Sequence, residues 1–185
     1  MPSEYKTKQY YKLRRQWKEY KTEYSDLKFI FDKICIEFSS KLSAYCVRND
    51  LGDPFTKIDK SSQNVRGEEF TTSSSKSFFR KIVTSTHPDK GLKDAKKKEK
   101  IYHQATKAKK DGNLQKLYDL GKAVSINPDL DAITLKDLDL LEHNINEIKD
   151  KIFKIKNSYA WIWFSSNNNK RDSVFLSFIE SSFEK

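Results

Sequence analysis

The residues in this chain whose types and spacing most invite chemistry are His87-Pro88-Asp89. A proline fixes its own φ and stiffens the loop around it. His87 and Asp89 would then project as a hydrogen-bonding, ionisable pair from a rigid backbone. Such a pair suits contact with a partner; the same three residues also serve as ordinary turn chemistry. Other candidates are less organised. His103 lies in a charged stretch, and His143 stands beside Glu142 with no second ligand at metal spacing. Cys35 and Cys46 are too few for a disulfide framework and lack zinc spacing. Cys35 follows Ile34 on an apolar repeat, a place for a buried or half-buried thiol. Asp129, Asp131, Asp137 and Asp139 lack the central Gly and terminal Glu of a calcium loop. No metal and no cofactor is expected.

Composition narrows the function classes. The 185 residues carry 36 Lys plus Arg against 26 Asp plus Glu, a net charge of +10. With 12 Phe, 9 Tyr and 3 Trp the chain is too aromatic for a disordered basic tail. No stretch approaches the roughly 20 apolar residues that span a bilayer, and the polar start does not read as a secretory signal. A soluble, reducing, cytoplasmic setting without a membrane partner is expected. The charge is uneven: residues 76–110 hold 12 basic and 3 acidic side chains, nearly the whole excess. That segment contains the His-Pro-Asp triplet.

Helices must position these residues. Tyr10, Leu13, Trp17, Tyr20, Tyr24, Leu27, Phe31, Ile34 and Phe38 alternate spacings of three and four, the period of a helix packing along a seam. Leu138, Leu141, Ile145, Ile148, Ile152 and Ile155 repeat the pattern, with Thr134 and Asp137 as a capping box. The two helices could pair within the molecule as an antiparallel hairpin or between molecules as self-association. The aromatic seam favours the first. Between them, Gly52, Pro54, Gly67 and Ser73-Ser74-Ser75 read as a linker. A helix then carries Phe78, Phe79, Ile82 and Val83 and must stop before Pro88. A second covers residues 93–110 with Ile101, Tyr102, Ala105 and Ala108 as its apolar stripe. A short helix with Leu114, Leu117, Tyr118 and Leu120 follows. Tyr159, Trp161, Trp163 and Phe164 precede a polar turn and a last amphipathic helix with Phe175, Phe178 and Ile179. The fold class is all-α. Four regions are expected: an N-terminal heptad helix (1–48), a linker (49–74), a region around the triplet (75–124), and a C-terminal heptad helix with an aromatic tail (125–185).

A basic amphipathic helix running into His87-Pro88-Asp89-Lys90, followed by a lysine-rich second helix, resembles the J domain of DnaJ-like co-chaperones. Phe79, Arg80 and Lys81 stand where that family has an aromatic and a basic pair, and Lys90 supplies the lysine after the triplet. Tyr102, Ala105 and Ala108 fit its third helix. The resemblance covers about residues 75–110. It implies a non-enzymatic protein that docks on a DnaK-type, 70-kDa class heat-shock chaperone through Lys76, Arg80, Lys81 and Lys90. The loop of His87, Pro88 and Asp89 would stimulate that partner's ATP hydrolysis and client capture. The family's short first helix is not recognisable, because residues 65–70 are polar and too close to the next helix. Either the long heptad helix takes over that support or the domain is degenerate. Gly/Phe-rich and zinc regions are missing too, as in the minimal type in which only the J region is shared. A J-like hairpin held between helices with a Trp-rich tail looks similar to stand-alone J-like proteins encoded by large DNA viruses and phages.

A rival reading treats the chain as a basic helical nucleic-acid-binding or virion structural protein with a vestigial triplet. The run Lys96-Lys97-Lys98-Glu99-Lys100 fits a nucleic-acid patch or a solvated helix face. Trp161 and Trp163 fit a client or base-stacking surface, or the cap of a small core.

Overall fold

A computed structural model describes residues 3–52, 55, 72–88 and 95–183. Asp89 and Lys90 of the expected site, and residues 65–70, lie outside the described residues. Among those described there are seven α-helices and no strand, so the fold is all-α. They are α1 (Ser3–Arg48), α2 (Ser73–Thr86), α3 (Ala95–Lys110), α4 (Leu114–Ala123), α5 (Leu135–Lys156), α6 (Tyr159–Ser165) and α7 (Asn168–Phe183). No helix among the described residues is long and apolar enough to cross a membrane.

The chain forms two compact units. The first takes residues 1–20 and 64–147, the second 21–63 and 148–185. In the first unit Tyr10, Leu13 and Trp17 of α1 are buried, as are Leu138, Leu141 and Ile145 of α5. Both apolar seams thus pack within the chain. Their direction differs from the expected antiparallel hairpin. The Lys6 ammonium donates to the Ile133 carbonyl just before α5, at 2.9 Å. Further along, Arg14 donates to Gln115, whose amide donates to the Leu141 carbonyl at 3.2 Å. Contacts on the two helices ascend together. The hairpin expectation assumed a connection that turns straight back, whereas α2, α3 and α4 intervene and return the chain to the start of α1.

Helices α2, α3 and α4 pack on one another. Phe78 and Ile82 of α2, Ile101, Ala105 and Ala108 of α3, and Leu114, Leu117 and Tyr118 of α4 form the buried faces. The Lys109 ammonium lies over the Phe79 ring at 5.2 Å, and His87 meets Tyr102. Residue pairs 79 with 109 and 87 with 102 converge, so α2 and α3 form an antiparallel hairpin with His87 at its turn. Gly121 permits the close approach of α4. A Cβ there would stand 2.3 Å from Cζ of buried Phe78 and 2.9 Å from the Ile126 carbonyl oxygen.

The second unit closes around Phe38. Its ring meets Trp163 at 5.8 Å, Phe175 at 5.5 Å and Phe178 at 5.6 Å, and the Arg171 guanidinium covers Trp163 at 4.7 Å. Ile34, Leu42 and Cys46 complete the α1 side of this core. Trp163 therefore caps a small core, while Trp161 stays half-buried beside Phe164. The tail forms a helix, α6, that periodicity did not announce in so short a run. Ser158 caps it by accepting from the Trp161 amide. Burial pushes the half-buried Cys35 thiol above its usual range, so it rests as a thiol.

Replacing a helical glycine by alanine ordinarily stabilises a helix by about 1 kcal/mol. At position 121 the sign reverses: Gly121→Ala costs about 1–3 kcal/mol through overpacking against Phe78. The shift of the urea midpoint measures it.

Candidate functional site

Helix α2, which leads to His87, begins and ends for identifiable reasons. Thr72 is its N-cap, extended at φ −76° and ψ 149°, and its hydroxyl accepts from the Ser75 amide. At the other end His87 is extended at φ −60° and ψ 131°, the conformation imposed on a residue before proline. Thr86, fully buried, returns its hydroxyl to the Ile82 carbonyl at 2.8 Å. The helix stops where Pro88 requires it to stop.

What holds α2 in place is a carboxylate that belongs to another helix. Asp137, in the first turn of α5, is completely buried. Its Oδ1 accepts from the Thr72 hydroxyl. Its Oδ2 accepts from the Ser74 hydroxyl at 2.5 Å and from the Thr134 amide and hydroxyl at 2.9 and 2.7 Å. The Asp137 amide donates back to the Thr134 hydroxyl, completing the expected capping box. One buried charge therefore serves the N-termini of both α2 and α5, where helix dipoles favour negative charge. Ser74, read as part of the linker, is a ligand of this tie together with Thr72. The first-turn sequence of α5 signalled half of it; the α2 half needed the fold.

Behind α2 stands α4, and behind α4 stands α1. Phe78 meets the Tyr118 ring edge-on at 5.0 Å, and Tyr118 meets Tyr10 at 5.6 Å. Arg14 binds Asp119 at 2.6 Å and donates to the Gln115 side chain and carbonyl at 2.7 and 2.9 Å. The Trp17 indole donates to the other Asp119 oxygen at 3.2 Å. Buried Gln115 and Asn144 join this network to α5. Each buried polar group gains a partner, which is the condition for such a network to stabilise rather than weaken a core. Among the described residues α4 packs against α2, and α1 supports α4 from behind.

The surface this support presents is basic. Lys76, Arg80 and Lys81 are exposed on α2 together with Ser73, Ser77 and Thr84, and α2 holds no acidic residue. None of the three cations forms an ion pair among the described residues. At the tip His87 is half-buried and Pro88 exposed. The His87 ring packs edge-on against Tyr102 of α3, centroids 5.4 Å apart at 83°. Tyr102, expected on the apolar stripe of this helix, thus packs against the tip histidine. Counting back along an antiparallel hairpin from its turn would have found it.

Other candidates separate from this site. His103 and His143 are exposed and stand 3.8 and 3.9 Å from Glu99 and Glu147 on their own helices. Asp129 accepts from the Asp131 amide within its own loop. No metal-holding cluster occurs among the described residues. No protein-family model, curated protein or solved structure matches this chain.

Two measurements check the tie. Asp137→Ala leaves the Thr72, Ser74 and Thr134 donors unpaired and costs about 3 kcal/mol or more in denaturant unfolding. Asp137→Asn, which keeps the shape but accepts on one oxygen, falls between. Burial, then the nearby Asp137 charge, pushes the Tyr118 phenol far above its ordinary value. An unfolded tyrosine ionises near pH 10 while the folded one stays protonated. The stability Tyr118 contributes is complete below that pH and is lost as pH rises above it. Tyr118→Phe flattens that alkaline decline in unfolding midpoint.

Proposed function

We propose that this chain is a non-enzymatic co-chaperone of the J-domain type. It acts on a DnaK-type heat-shock ATPase in the cytoplasm. The observation that carries this reading is the position of His87. It lies at the turn of an antiparallel helical hairpin, held by Pro88 in sequence and by Tyr102 across the turn. The exposed side of the helix leading to it carries Lys76, Arg80 and Lys81 without intramolecular partners among the described residues.

The mechanism divides between capture and action. Cations on one helix face attract an acidic partner surface and raise the encounter rate more than the final affinity. Docking along α2 brings His87, Pro88 and Asp89 to the junction between the partner's ATPase domain and its interdomain linker. The loop forms and breaks no covalent bond. Its differential contact with the two partner conformations shifts their equilibrium toward the hydrolysing one, so the coupling belongs to the complex. The second unit, which exposes Ile162 and Phe164, offers a surface for client or self-association contacts.

In single-turnover ATP hydrolysis with a panel of DnaK-type chaperones, the protein accelerates at least one member, and His87→Gln returns that rate to basal. The double variant Lys76→Ala/Arg80→Ala slows association and weakens its salt dependence. No acceleration across the panel, or full acceleration by His87→Gln, rejects the reading.

A further inference from the structure

The charge on α3 is arranged differently from that on α2. Lys96, Lys100, His103, Lys107 and Lys110 follow one another at spacings of 4, 3, 4 and 3, and all five are exposed. That spacing keeps them on one face of a helix. Ile101, Ala105 and Ala108, the buried residues, occupy the opposite face. The stripe is about 21 Å long, from the helical rise of about 1.5 Å per residue. Its four lysines form no ion pair among the described residues; Glu99 stands 3.8 Å from His103.

Local energetics do not account for this arrangement. Lys96, Lys97 and Lys98 fall in the first turn of α3, which holds no acidic residue. A helix N-terminus is the positive end of the macrodipole, so cations there are unfavourable. The hairpin packs through the opposite face and does not use these side chains. A regular row of unpaired lysines matches an equally regular polyanion.

We infer that the outer face of α3 binds the phosphate backbone of duplex nucleic acid, independently of sequence and of the His87 loop. A strand of duplex advances about 3.4 Å per phosphate, so the stripe spans about six phosphates of one strand. Lysines about one helical turn, roughly 5–6 Å, apart can each neutralise one. Lysine acts as a point charge rather than a bidentate fork, the mode of backbone contact without base readout. The stripe holds no aromatic or aliphatic anchor of the kind that concentrates protein–protein affinity. It also lacks the apolar side that an interfacial helix inserts into a bilayer. Tyr102, the aromatic of α3, is turned to His87 and unavailable for stacking on a single strand. Duplex backbone is the ligand these features share.

The test is a salt titration of binding to a fluorescent 20-base-pair duplex of random sequence. With four phosphate contacts, affinity falls about a hundredfold between 50 and 200 mM salt. The variant with Lys96, Lys100, Lys107 and Lys110 all changed to Gln loses that dependence, while the corresponding Lys→Arg variant keeps it. Circular dichroism confirms that both retain their helices. His87→Gln binds the duplex as the unchanged protein does, so this inference stands or falls apart from the co-chaperone reading. Three results overturn it: a salt slope unchanged in the Gln variant, binding lost in the Lys→Arg variant or His87→Gln, or equal affinity for polyglutamate, anionic vesicles or a single strand of the same length.

Discussion

The first unit depends on one buried carboxylate. Asp137 is fully removed from solvent and accepts from three hydroxyls and one amide. An ionised group in such a place is tolerable only when its hydrogen bonds are made, and here two helix N-termini add their dipoles. The consequence is geometric. The first turn of α2 is tied to the first turn of α5, so the direction in which α2 projects is set at its base. Pro88 then sets where it ends. Between these two constraints lies a 14-residue helix whose outer face has no task in the fold.

Charge is distributed in accordance with that division. In the first unit, Arg14 is spent on Asp119 and Gln115, inside the support. Lys76, Arg80 and Lys81 of α2 and Lys96, Lys100, Lys107 and Lys110 of α3 remain on the outside, while Lys109 covers the Phe79 ring between the two helices. A single number, +10, thus resolves into an internal network and two outward surfaces. On α2 the cations are interleaved with serines and lead to a shaped tip, which fits a folded partner. On α3 they form a uniform row, which fits a repeating one. The two faces differ in pattern, and each belongs to its own helix.

Much of this was legible in the amino-acid order. The heptad spacings identified residues that are buried, Tyr10 through Trp17 on α1 and Leu138 through Ile155 on α5, because a seam leaves its period in the sequence. Thr134 and Asp137 announced the start of α5, because a capping box is a local device. The stop before Pro88 followed from steric exclusion alone. What was not legible depended on long-range partners. Nothing local distinguishes Ser74 in a linker from Ser74 donating to a carboxylate 63 residues away. The ascending direction of α1 and α5 depends on how three intervening helices return the chain, which periodicity does not encode. Tyr102 has the spacing of a core residue, and its second role appears only when the hairpin closes and brings His87 to it.

The central claim is that α2 and its tip are the surface that meets a DnaK-type chaperone. Hydrogen–deuterium exchange of this chain, with and without that chaperone in its ATP state, tests it most directly. The account predicts added protection over residues 73–88, with the second unit unchanged. Protection confined to the second unit, or no protection anywhere at saturating chaperone, would contradict it.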